Sequence, residues 1–212
     1  MKRLLLLSLC VLEPQDPTAE AKKLLDALAP TGKDPVYSQI EWESGSKHGA
    51  GYFSRQKAWR VDTKNGDVEL FFIWDGKGYL NYMKKSNRFF RNPKDAPSVL
   101  LSEGGALAEI FFSGNADRLF NGNKATLKKE KLDDVDCSHI TIPRPDLVGS
   151  TKAELHLWID ADKHCRRYTY RNEAQGKPYE RTFNYRVVDA PTTTAETFDF
   201  RVPADAKDLK GG

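Results

Sequence analysis

The stretch FFIWDGKGYLNY, Phe71 to Tyr82, sets a turn between two aromatic-rich, strand-like runs. Glycine supplies the positive φ angles that a tight hairpin needs, and Asp75 tolerates turn positions. Outward from it the same rhythm continues. From Val36 the apolar period is two: Val36, Ile40 and Trp42 alternate with Tyr37, Gln39, Glu41 and Glu43. Gly51–Arg55, Ala58–Lys64, Val68–Trp74, Tyr79–Met83 and Asn87–Arg91 read as short strands. Ser44-Gly45-Ser46, Asn65-Gly66-Asp67 and Lys85-Ser86-Asn87 read as their turns.

The middle of the chain changes period. Pro97–Leu101, Gly105–Ser113 and Ala116–Phe120 read as short helices, with Leu107, Ile110 and Phe111 as an apolar stripe and Leu100 and Leu101 just before it. Strands resume over Ala125–Lys131, Val135–Ile142, Glu154–Asp160, His164–Asn172, Tyr179–Val188 and Thr197–Arg201. A helix over Thr18–Ala29 precedes them all. A sheet this long curls, so the expected fold is mainly β within the α+β class. It is a half-open curled antiparallel β-barrel with an N-terminal helix and short helices covering the mouth, one domain over residues 17–212.

The opening MKRLLLLSLCVL reads as an export signal within residues 1–16. Lys2 and Arg3 form its basic start and Leu4 to Leu12 its apolar run. That run is too short to cross a bilayer, which takes about 20 residues, and no other run is longer. Leu7-Ser8-Leu9-Cys10 has the outline of a lipidation box, so anchoring through Cys10 stands beside plain export, and a buried N-terminal strand beside both. The expected location is the periplasm or cell envelope. A net charge of +3 with 30% charged residues gives a mixed surface and no nucleic-acid footprint.

Nothing in the sequence points to catalysis. Gly-x-Ser-x-Gly and phosphate-cradling Gly-rich motifs are missing, and a hairpin turn accounts for Asp160 and Asp162. Cys137-x-His139 puts a thiol and an imidazole on one strand face, with His156, His164 and Cys165 further on, so a zinc-type site competes with ordinary structural roles. Lys124 to Lys131 reads as a solvated strand face. With Cys10 removed, Cys137 and Cys165 remain, and an oxidising compartment permits a disulfide between them. They fall on strands two apart, about 9–10 Å. A disulfide needs Cα atoms within about 7 Å, so it requires a twist, a bulge or another strand order.

The order of these features resembles the outer-membrane lipoprotein carrier superfamily, the LolA-like and LolB-like envelope proteins. The resemblance rests on Gly51-Tyr52-Phe53 with Arg55 and Trp59-Arg60, on the Phe72–Tyr82 hairpin, on Pro97-Ser98-Val99-Leu100-Leu101, and on the ending Phe198-Asp199-Phe200-Arg201-Val202-Pro203. Asp136-Cys137-Ser138-His139 and Leu157-Trp158-Ile159-Asp160 look closest to an uncharacterised LolA-like family of bacterial envelope proteins. The resemblance implies a non-enzymatic, monomeric carrier without cofactors. It would shelter a lipid or lipoprotein acyl chain under a movable helical lid and meet envelope protein partners. The implied wall is Trp42, Phe53, Trp59, Phe72 and Trp74, on faces that period alone leaves open. The implied lid is Leu100, Leu101, Leu107, Ile110 and Phe111. In the carrier family a strand arginine bonds the lid. Arg55 holds that place here, with Gln56 where a proline usually follows, and Arg60 is the fallback. The alternatives are an envelope structural or sensing domain with a self-filled core, or a Cys/His metal-binding protein.

Overall fold

The computed structural model describes residues 16–92, 97–145, 152–174, 177–188 and 192–209. Residues 1–15 of the signal-like segment, Cys10 included, lie outside the described residues, as do much of the Pro143–Lys152 loop and part of the turn at Glu173–Gly176. No helix of the described residues is long and apolar enough to cross a membrane.

Helix α1 is Pro17–Asp26. Asp16 caps it by accepting from the Thr18 amide at 2.9 Å, and its buried Ala21 and Leu25 face the sheet. Strands β1 (Tyr37–Ser44), β2 (Lys47–Ser54), β3 (Ala58–Asn65), β4 (Val68–Trp74), β5 (Tyr79–Met83) and β6 (Arg88–Asn92) form the first meander. Helices α2 (Pro97–Ser113) and α3 (Asp117–Phe120) follow. Strands β7 (Thr126–Leu132), β8 (Val135–Pro143), β9 (Glu154–Asp160), β10 (Cys165–Ala174) and β11 (Lys177–Val187) form the second meander. A short β12 (Lys207–Asp208) comes last.

Among the described residues, all twelve strands belong to one curled, unclosed sheet, ordered β12-β6-β5-β4-β3-β2-β1-β11-β10-β9-β8-β7. The two meanders join through one long-range antiparallel pairing, Ile40 opposite Val187 and Trp42 opposite Tyr185. Every pairing is antiparallel except β12 with β6. The opening hairpin forms as expected: Asp75 Oδ1 accepts from the Lys77 and Gly78 amides at 2.9 and 3.0 Å, and Gly76 sits at φ 86°.

The two short helices expected between residues 97 and 113 both form, as two pieces of α2 that meet at a non-helical Gly105 with φ 73° and ψ −170°. A side chain there would also strike Tyr185 Oη, at 2.0 Å from an added Cβ, so only glycine fits. The expected closing strand Thr197–Arg201 is instead a 3₁₀ turn, Ala195–Phe198, followed by an extended strap. The strap lies across the convex face. Phe200 stacks on Phe71 at 5.6 Å and packs tilted against Tyr82 at 5.5 Å, and Phe198 stacks on Tyr37 at 6.5 Å. The alternating Phe198 and Phe200 do not lie opposite a strand; they serve as plugs for a sheet's outer face.

Candidate functional site

Antiparallel register settles which aromatics point inward, because directly paired residues share a face. Trp42 opposes Gly49, Phe53 opposes Trp59, Trp59 opposes Trp74, and Val61 opposes Phe72. Trp42, Phe53, Trp59, Phe72 and Trp74 therefore all line the concave face. Glycine makes room for them: a Cβ on Gly49 would sit 2.2 Å from the Trp42 indole, and one on Gly51 would sit 2.6 Å from the Phe53 ring.

Helix α2 seats in this concavity against β1, β2, β3 and β10. Leu100, Leu107, Ile110 and Phe111 are buried, and Leu101 is half-buried at the margin. Wall and helix meet ring to ring: Phe53 with Phe111 at 6.0 Å and 75°, Trp74 with Phe112 at 5.4 Å and 84°. These edge-to-face contacts close the mouth with side chains from both layers. Within this apolar layer the indole Nε1 atoms of Trp42 and Trp59 are buried without a hydrogen-bond partner. Such donors are uncommon in packed interiors.

Both ends of α2 are tied to the sheet. At its C-terminal end, the Gln56 amide donates to Phe112 O at 2.8 Å and Gln56 Nε2 donates to Ser113 O at 2.9 Å. Gln56 has φ 57°, and proline cannot adopt that angle or make the backbone bond, so the residue that departs from the carrier pattern is the one that latches the helix here. Arg55 turns aside. Its guanidinium reaches Pro30 O at 3.4 Å and Asp34 at 3.7 Å, and its stem packs over Gly114. Arg60 does not face α2 at all. It lies on the convex face, bonded twice to Asp62, at 2.7 and 2.8 Å, and set among the rings of Tyr52, Phe71 and Phe200.

The other half of α2 is held by polar groups on β2 and β11. Lys47 Nζ pairs closely with Glu103 of α2, Arg181 lies 3.7 Å from the same carboxylate, and Arg181 also donates to Ser102 O. Tyr185 Oη donates to Gly104 O at 3.0 Å. Burial raises the Tyr185 hydroxyl well above its ordinary range, so it stays a donor. Sequence reading missed Gln56, Lys47, Glu103, Arg181 and Tyr185. Only the alternation of Arg181, Phe183 and Tyr185 on β11 hinted that they share the concave face.

The cysteine and histidine readings separate by face. Ser138, Ile159 and Cys165 pair in register on the concave side, whereas Cys137 pairs with Asp160 on the convex side. Both thiols are buried and free, so the disulfide that an oxidising compartment would permit between Cys137 and Cys165 is not formed, and their opposite directions explain why. Burial pushes the Cys165 thiol up to about 12 and raises that of Cys137. His139 and His156 do come together on the convex face, with Nε2 and Nδ1 3.0 Å apart and Trp158 stacked 4.3 Å from His139. Their outer nitrogens lie beside carboxylates, Glu130 at 3.0 Å and Glu154 at 3.2 Å, although the Nδ1 of His139 is outside hydrogen-bond geometry. Burial lowers both imidazoles, with Arg171 lowering His156 further. His164 is elsewhere, beside Asp160 and Asp162 at the β9–β10 turn. The Asp160 oxygens there already accept from the His164 amide at 2.8 Å and Arg166 Nε at 2.6 Å.

No curated protein shows significant sequence similarity to the chain. Among solved structures, an uncharacterised conserved protein from Thermus thermophilus shares the fold. It has a TM-score of 0.54 and 14% identity, over 90% of this chain and 97% of that one. A DUF1329 family protein from Desulfovibrio piger aligns with a TM-score of 0.39 and 9% identity, over 87% and 98%. The family described as "Predicted periplasmic protein (DUF2092)" matches residues 29–210, and the chain belongs to that family.

Proposed function

We propose that the protein binds the acyl chain of a lipid or lipoprotein in the periplasm, without chemistry, by exchanging α2 for the ligand. One observation carries the reading: an apolar helix, broken at Gly105, fills the concave face of an unclosed sheet. A broken helix can leave in two pieces, and the wall it exposes is aromatic and aliphatic. Burying an acyl chain contributes about 0.8 kcal/mol per CH₂, so a chain of ordinary length offsets the lost helix contacts. Opening draws on a minor open population that the ligand stabilises.

A second reading has its own support. The wall residues Trp42, Phe53 and Trp59 are at most 2% exposed, as a self-filled structural or sensing domain would have them. Native mass spectrometry of protein purified from the periplasm separates the two, since a carrier retains lipid of defined mass. Gln56→Ala removes the Nε2 latch while keeping the backbone bond. The loss of one hydrogen bond, about 1 kcal/mol, makes opening easier and tightens fluorescent fatty-acid binding roughly fivefold. Absence of both co-purified lipid and fatty-acid binding would favour the structural domain.

A further inference from the structure

The charged groups at the N-terminal half of α2 have an arrangement that lid packing alone does not require. Lys47 from β2 and Arg181 from β11 converge on one carboxylate, Glu103, at the concave rim. The side chains of all three are about four-fifths buried, at 20%, 21% and 19% exposure. The flanking donors serve the same stretch: Arg181 to Ser102 O and Tyr185 Oη to Gly104 O. Every one of these side chains on the sheet is a donor, and every acceptor belongs to the helix. The Trp42 indole lies over Gly49, two residues along the same face from Lys47, with its buried Nε1 unpartnered.

When α2 leaves, Glu103 and the two carbonyls leave with it. Two cations, four-fifths buried while α2 is seated, and a hydroxyl donor would then face a freshly opened apolar trough. An apolar tail that fills the trough covers them again, and a covered charge left unpaired is strongly destabilising. An anion delivered at the head of an apolar chain restores the pairing. We propose that Lys47 and Arg181 form the head-group seat for a single-chain anionic amphiphile, a carboxylate or phosphate on an acyl chain, and that Glu103 occupies this seat while the lid is closed. This deepens the acyl-chain reading and rests on it. The lid carries a stand-in for the head group as well as for the tail, so release of the helix and capture of the ligand are one exchange of like for like.

Displacement of a fluorescent fatty-acid probe from the full folded protein tests this with three ligands of one chain length: hexadecanoate, hexadecyl phosphate and hexadecanol. The expected result is at least about tenfold tighter binding of both anions than of the alcohol, a difference that shrinks with added salt. Comparing the two anions tells a carboxylate seat from a phosphate seat. Lys47→Met and Arg181→Met should erase the preference for the anions while hexadecanol binding tightens, because each also frees α2, and Glu103→Gln should strengthen anion binding more than alcohol binding. Equal binding of anion and alcohol by the unaltered protein overturns the head-group seat and leaves the acyl-chain reading standing. No binding of any of the three overturns both. Because the decisive comparison uses the unaltered protein, variants that fold poorly do not blur it.

Discussion

His139 and His156 show how a single residue's setting becomes a property of the molecule. Each ring is buried on the convex face, and burial holds each below the ordinary histidine range. The folded protein therefore binds these protons less readily than the unfolded chain. Above the unfolded value of about 6.5 both states are neutral, and there is no penalty. As pH falls through that value the unfolded chain takes up protons first, and stability drops until the folded imidazoles also charge. The melting temperature should fall between pH 7.5 and 5.5, and His139→Gln should flatten that slope; an unchanged slope would mean that the pair stays neutral in both states. Sequence showed that Cys137 and His139 share a face but could not show which imidazole joins them. That depends on the β8–β9 register, and His156 arrives opposite Thr141 through pairings that alternation cannot fix. The same blindness hid the thiols: Cys137 and Cys165 both lie on strands, and one residue of register decides whether they face or oppose.

At the scale of elements, the strands were legible because alternation and turn residues act locally. Their bounds differ from the expected ones by a few residues, as at α1, which ends at Asp26 rather than Ala29. The exception is the C-terminal strap. Phe198 and Phe200 alternate as a strand would, yet they pack on the outer face, Phe198 on β1 and Phe200 on β4 and β5, rather than joining an edge, a tertiary choice with no local signature. Only β12 then adds to the sheet, its Lys207 and Leu209 amides donating to Asn87 O and Phe89 O at 2.9 Å each. The strap thus covers a sheet face and an edge at once. Phe200→Ala should cost about 2 kcal/mol in urea unfolding and raise binding of a hydrophobic dye, because Phe71 and Tyr82 lose their cover. A variant with unchanged stability and dye binding would show the strap to be dispensable. The tie between Gln56 and α2 was the least legible element of all. Gln56 looks like a loss of the proline pattern until its left-handed backbone and its bonds to Phe112 and Ser113 are seen.

At the scale of the whole molecule, the sequence revealed a long curled sheet with a helical insert, and that is the architecture found. It did not reveal the seam. The two meanders are each built from near neighbours in the chain, whereas β1 and β11 meet across residues 145 apart, as Glu41 and Arg186 do. Loop closure delays such pairings. In pulsed hydrogen-exchange refolding, amides of β2–β5 and β8–β10 should gain protection before those that bond β1 to β11. Early protection of the seam would instead make it the folding nucleus. A sheet assembled as two halves also has a second way to be completed. Until β11 arrives, β1 presents an open edge that the second meander of a neighbouring chain fits as well as its own, since the register is identical. Two chains that trade their second meanders reproduce every native contact of the seam and differ only at the link through the helical insert. The cost of a long-range seam is thus a competition set by concentration, in which crowding during refolding favours an exchanged dimer and dilution favours the single chain.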